Sequence, residues 1–240
     1  MSPDGRCKAL DVSADGYVRS EARAVLALGA MRSTGGRWAG GGSEVFFPVS
    51  DVGAEARHTP PPAFIIVNGT AVNQDGRSSS LTAPNGPAQQ AAMRLAVKEC
   101  GDHGCEDQMI GDIVTISMHG TGTSLGDPIE VGAIAAVHRK NKANNKKTKN
   151  RAEAVSSSES DTWQPLVLEA VKSYIGHTEL TAGVMGLMQP LTSLTQCRST
   201  KILHLSALNP HVGAAAGTST HAIFTPHLSL NSYILSAKTG

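Results

Sequence analysis

The stretch that most constrains this chain is Met118-His-Gly-Thr-Gly-Thr-Ser-Leu-Gly-Asp-Pro-Ile-Glu130. It follows an apolar, β-branched run from Ile113 to Ser117. It opens a helix whose start is signalled by Asp127 as cap, Pro128 at the first helical position and Glu130 as the far member of a capping box. Between strand and helix lies a glycine-rich turn with His119 at its mouth. Glycines there let backbone N–H groups come close to a ligand, and an imidazole at a strand end can donate a hydrogen bond or move a proton.

Two common glycine loops fit this stretch poorly. A dinucleotide-binding turn wants an acidic residue about 20 positions further on for the ribose, where this chain offers lysines. A phosphate loop would end in Gly-Lys-Ser/Thr, which is missing. A plain tight turn, its histidine satisfying a backbone carbonyl, stays open at this point.

A second stretch repeats the pattern. Leu166 to Val171 reads as a buried strand and runs into Lys172-Ser-Tyr-Ile-Gly-His177-Thr-Glu-Leu-Thr-Ala-Gly183-Val-Met-Gly186-Leu. A second histidine therefore stands at a second strand-to-helix corner, five residues after a lysine. Two such corners can set two imidazoles side by side at the carboxyl ends of neighbouring strands, where open α/β sheets hold their ligands. Two histidines and a lysine converging there suit a developing oxyanion.

HGTGTSLGDPIE and KSYIGHTELTAGVMGL resemble the two histidine motifs of the β-ketoacyl synthase (ketosynthase) domains of polyketide and fatty-acid synthases, which have the thiolase-like fold. Four further blocks agree, in the family's order: Cys7 to Arg19, Gly69 to Gly76, Leu81-Thr-Ala-Pro-Asn-Gly-Pro-Ala-Gln-Gln90, and Leu203 to Val212. The resemblance implies a partial thiolase-like α/β fold, a mixed sheet with packed helices, with its N-terminal half truncated. It implies a partial ketosynthase domain over 1–226, interrupted by a loop at 33–62 and an insertion at 139–164. The start of a post-ketosynthase linker, resembled by the residues around Tyr233 to Lys238, follows at 227–240.

The same resemblance implies a chemistry. A cysteine of the family takes an acyl group from a carrier-protein thioester, and a malonyl-type extender loses carbon dioxide to give an enolate that attacks it. By resemblance His119 and His177 supply donors to the oxyanion, Lys172 supports His177, and Glu179 is expected to pair with that lysine. Thr121 and Thr123 resemble residues that hydrogen-bond the phosphopantetheine arm of an acyl carrier protein. The substrates ride on that arm, and no bound cofactor is implied. The nucleophile's alanine-cysteine-serine-serine motif, which sits at a helix N-terminus, does not occur in this sequence. No nucleophile is assigned, and no condensing activity is expected of the chain alone. The missing ketosynthase half and other synthase domains are the further partners implied.

The remaining residues set bounds. Aromatic residues make up only 4% of the chain, so a core must rest on Ala, Val, Leu and Ile. The net charge of +1 points to no polyanionic partner. Four cysteines at irregular spacing make no disulfide framework. With no leader-like N-terminus and no apolar run of about 18 residues, a soluble, cytoplasmic protein is expected, engaging neither nucleic acid nor membrane.

Along the chain, a strand is expected over Ala24 to Leu28 and another over Ala63 to Val67. A helix should start near Pro87, capped by Asn85 and packed on the sheet, and Pro190 should kink or end the helix after His177. Ser20 and Ala22 stand where the family carries glycines, and Gly217 to Phe224 resembles the family's last strand. Cys100, His103 and Cys105 provide too few ligands for a zinc site. The seven cations from Arg139 to Arg151 read as a solvated segment. Two other readings stay open: a non-catalytic acyl-carrier or pantetheine-binding module, and an unrelated nucleotide-binding α/β protein.

Overall fold

The computed structural model describes residues 1–26, 67–76, 83–99, 110, 113–138, 166–196, 198–217 and 222–223. Helix α1 (Gly86–Glu99) is followed by strand β1 (Thr115–Ser117), helix α2 (residues 126–138) and strand β2 (Leu166–Glu169). Then come the one-turn helix α3 (Lys172–Ile175), a 3₁₀ turn (Glu179–Thr181), helix α4 (Ala182–Thr195), helix α5 (Pro210–Ala216) and strand β3 (Ala222–Ile223). The expected strand at 63–67, the Cys100–Cys105 loop, the basic segment and the linker fall wholly or almost wholly outside the described residues.

The described strands form a parallel sheet in the order β1-β2-β3, with Ile116 opposite Leu168 and Val167 opposite Ile223. Parallel pairing needs crossover connections, so α2 lies between β1 and β2 in the chain and α4 between β2 and β3. β2 is central and buried along its whole length, as its unbroken apolar run Leu166-Val-Leu168 requires of a strand covered on both faces. The core joins Leu166, Leu168 and Ala170 to Met118, to Val131 and Ile134 of α2, to Ile202 and to Val212 and Ala216 of α5. Ala9 and Leu10 complete it from the start of the chain. This is the aliphatic, aromatic-poor core that the composition demands.

Helix starts obey side-chain chemistry, with one substitution of roles. The Asn85 side-chain oxygen accepts from the Ala88 N–H at 3.1 Å, capping α1 one residue before the expected start. α1 meets α2, with Gly86 against Ile129 and Arg94 donating to the Ala136 carbonyl, and its Met93 packs against the core cluster that includes Leu166 and Leu168 of β2. The cap of α2 is Thr123, whose Oγ1 accepts from the Gly126 N–H at 3.1 Å, and not Asp127. Asp127 already lies inside the helix. Its carboxylate, 1% exposed, accepts from the Leu10 N–H at 2.8 Å and the Gly122 N–H at 3.2 Å. A threonine four residues earlier could cap because the turn is wound tightly, and that freed the aspartate to tie α2 to residue 10.

Two further expectations change. Residues 24–26 form no strand, and Val25 is 94% exposed. Pro190 does not end α4, which continues to Thr195. Polar anchors on both sides of the proline hold the helix to the sheet: Gln189 joins Ser117 and Thr200, and Ser193 donates to Glu169. α4 therefore buries Gln189 and Ser193, while Met188 and Leu194 face out. Gly217 ends α5, and the strand expected beyond it is β3.

Candidate active site

His119 stands two residues past the end of β1, and the backbone around it is fixed from three directions. Met118 donates to the Glu169 carbonyl at 2.8 Å, continuing the β1–β2 ladder. The N–H groups of His119 and Gly120 both donate to the Glu130 carboxylate, from Gly120 at 3.0 Å. Glu130 thus does reach back as a capping-box residue would, but to the histidine loop instead of the helix cap. Gly120 and Gly122 have φ of 48° and 77°. A Cβ on Gly122 would lie 2.6 Å from the Lys8 backbone nitrogen, so only glycine lets the segment around Lys8 lie against this loop.

His177 is held by the start of the chain. Its N–H donates to the Val18 carbonyl at 2.7 Å, and its carbonyl accepts from the Ser20 N–H at 3.0 Å, a short parallel bridge between Arg19 and His177. The Tyr17 ring lies 5.1 Å from its imidazole. The Glu179 N–H donates to His177 Nδ1 at 3.0 Å. A ring nitrogen that accepts is unprotonated, so the neutral ring carries its proton on Nε2 and donates there.

The two corners converge as the parallel order of β1 and β2 dictates. The rings of His119 and His177 lie 5.4 Å apart, edge to face at 86°. Both line a cavity of about 400 Å³ with Tyr17, Pro84, Gln89, Thr121, Thr123 and Glu130. Thr121 and Thr123 pair through their hydroxyls at 3.3 Å. Of the residues singled out from sequence, His119, His177, Thr121 and Thr123 share this cavity, and Lys172 lies buried, 4% exposed, in the same electrostatic neighbourhood.

Glu179 departs from its expected role. Its carboxylate pairs with Arg19 Nε at 2.7 Å, not with Lys172. A positive φ of 51° turns it outward into water, where the arginine of the chain start is the cation within reach. Glu179 instead serves His177 through its backbone.

The charge states follow from the surroundings. Partial withdrawal from water lowers the pKa of His119 to about 4, helped by the Lys172 ammonium and by His177. Withdrawal from water also lowers that of His177, with Lys172 adding to it and Glu179 opposing. Both rings are therefore neutral donors at pH 7. Burial lowers the pKa of Lys172, while Glu130 and Cys7 pull it back up. Burial raises that of Glu130 against the two backbone N–H donors. Cys7 is buried beside Val18, and burial pushes its thiol up, the reverse of what an activated nucleophile needs. Cys100, Cys105 and Cys197 lie outside the described residues. No group of three or more His, Cys, Asp or Glu among the described residues is placed to hold a metal ion.

Sequence reasoning missed Tyr17, Arg19 and the backbone role of Glu130. Tyr17 and Arg19 reach the site from the far end of the chain, and no local spacing announces that.

Comparison with known proteins gives the family and the fold. The model of the β-ketoacyl synthase C-terminal domain matches residues 64–149 and 149–206. The chain is 34% identical over 218 residues to the spectinabilin polyketide synthase system protein NorA' of Streptomyces orinoci, covering 91% of this chain and 5% of that protein. It is 36% identical over 217 residues to mycoketide-CoA synthase of Mycobacterium tuberculosis, covering 90% and 4%. Among solved structures, the oxazolomycin ketosynthase domain OzmH KS7 of Streptomyces albus superposes with a TM-score of 0.56 at 23% identity, covering 90% of this chain and 29% of that one. A ketosynthase from module 6 of the bacillaene synthase of Bacillus subtilis gives 0.54 at 23%, covering 88% and 30%. The chain thus spans about a twentieth of these curated relatives and three tenths of the solved ketosynthases, and its fold is a partial thiolase-like one. A matched family model over most of its described core and relatives above 30% identity lead to one conclusion: this chain belongs to the β-ketoacyl synthase family, as a ketosynthase-derived segment of polyketide synthase type.

Proposed function

We propose that this chain is the enolate-stabilising part of a ketosynthase, acting on malonyl-type thioesters carried on the phosphopantetheine arm of an acyl carrier protein. The observation that carries this reading is the pair of neutral imidazoles 5.4 Å apart over one cavity, with a buried lysine near them. When the carboxylate of a malonyl thioester leaves as carbon dioxide, the electron pair of the broken C–C bond passes to the thioester oxygen as an enolate. His177 Nε2–H and the His119 ring donate to that oxygen, and the Lys172 charge favours it. Neutral donors suit the step because they strengthen as charge develops without first giving up a proton. Thr121 and Thr123 line the same cavity and offer hydroxyls to the arm.

Carbon–carbon bond formation needs an acyl-cysteine, and Cys7 is placed to hold no acyl group. A ketosynthase half outside this sequence, or another synthase domain, supplies that nucleophile. The outward side chains of α4 and the exposed Leu180 support a partner on this side of the molecule.

The test is decarboxylation alone. The full chain mixed with malonyl-pantetheine should release carbon dioxide and leave acetyl-pantetheine, and His119→Ala or His177→Ala should slow release by about 10²–10³. Binding of the thioester with no release by the unaltered chain would overturn the catalytic reading and leave a pantetheine-binding module.

A further inference from the structure

In the cavity under the two histidines, several lining acceptors are engaged, while one buried side-chain oxygen has no donor among the described residues. The Glu130 carboxylate is engaged by the N–H groups of His119 and Gly120. Thr123 Oγ1 is engaged by the Gly126 N–H and by the Thr121 hydroxyl. His177 Nδ1 is engaged by the Glu179 N–H. Gln89, in the first turns of α1, also lines the cavity, and its Oε1 is buried with no hydrogen-bond partner among the described residues. A buried carbonyl oxygen without a donor is costly, and such costs are kept where a ligand removes them.

We infer that Gln89 is a specificity residue of this cavity, accepting a hydrogen bond from an amide N–H of the pantetheine arm. This deepens the function proposed above and rests on it. The chemistry of the arm selects the contact. A thioester oxygen and sulfur accept only, which matches the histidine and threonine donors. The amide nitrogen two methylenes from the sulfur is the nearest donor on the arm, and Gln89 Oε1 is the acceptor that lacks one. The α1 cap holds the residue in place: Asn85 binds the Ala88 N–H and the Asp75 carbonyl, and Asn73 donates to the Ala88 carbonyl at 2.7 Å. Gln89 is therefore presented from a helix turn pinned at both polar ends.

The experiment compares two probes on the full chain: acetyl-pantetheine, and the same molecule methylated on the amide nitrogen nearest the sulfur. Binding is read by ligand-observed NMR titration. The unaltered chain should prefer the N–H probe by about tenfold, the effect of one buried hydrogen bond. Gln89→Met, which keeps the side chain's length and apolar stem, should bind both probes alike, and Gln89→Glu, which keeps an acceptor, should retain the preference. Thermal unfolding of each variant shows that the fold persists. Equal binding of both probes by the unaltered chain, or an undiminished preference in Gln89→Met, overturns the role of Gln89 while leaving the pantetheine site intact. Failure of the unaltered chain to bind either probe overturns the pantetheine reading and this inference with it.

Discussion

At the scale of single residues, the site is governed by one buried cation. The Lys172 ammonium is the leading charge acting on both imidazoles, and its effect on His119 comes second only to withdrawal from water. Lys172→Met should therefore let both rings take up a proton more readily. The NMR titration midpoint of His119 should climb from about 4 toward the ordinary histidine value of about 6.5, without reaching it because the cavity still excludes water. No movement of that midpoint would show that the lysine's charge does not reach the ring. The consequence for chemistry is the same one in reverse: with the lysine present, the imidazoles stay neutral through the physiological range and keep a single N–H each to give.

At the scale of elements, the glycine turn after β1 decides whether the site exists. Gly122 combines a φ of 77° with a Cβ position 2.6 Å from the Lys8 nitrogen and 2.9 Å from its carbonyl carbon. Gly122→Ala should destabilise the chain by about 1–3 kcal/mol, through left-handed backbone strain and displacement of the Lys8 segment. Urea unfolding monitored by circular dichroism measures it. Spacing alone announced this element well. A β-branched run, a glycine cluster and a proline-marked helix start foretold β1, the turn and α2, and the second strand-to-helix corner foretold that two histidines would meet. The cap was misplaced onto Asp127 because sequence shows which side chains can cap and not which carboxylate is needed elsewhere. Glu179 was given to Lys172 because a resemblance carries residue types, whereas the backbone at φ 51° decides where a side chain points. Tyr17 and Arg19 were illegible as site residues, since their approach depends on a bridge to His177 formed across most of the chain.

At the scale of the whole molecule, a buried carboxylate reinforces the backbone bridge that closes the chain start onto the segment before α5. Asp11, fully buried, accepts from the N–H and hydroxyl of Ser13, from the N–H and hydroxyl of Ser206 and from the Ala207 N–H at 3.0 Å. Burial alone would raise its pKa, but these donors outweigh it and hold the carboxyl well below the usual range. A carboxylate depressed in the folded state stabilises fully above its unfolded pKa of about 4, and that stabilisation is lost as pH falls through the folded value. Asp11→Asn should cost about 1–3 kcal/mol at pH 7, and the gap to the unaltered protein should narrow toward pH 2. Denaturant midpoints measured at both pH values check the sign. A gap that is constant with pH would mean that the charge of Asp11 contributes nothing.

The parallel β1-β2-β3 order has a kinetic corollary. No hairpin can bring β1 beside β2, because the segment from Met118 to Pro165 must first be looped out and its ends closed. Neither histidine can meet the other early, by local winding of the chain; their encounter is among the slow, distant contacts that set the pace of folding. A quenching or cross-linking signal between those two rings would consequently report long-range assembly of the sheet and not local winding of the chain.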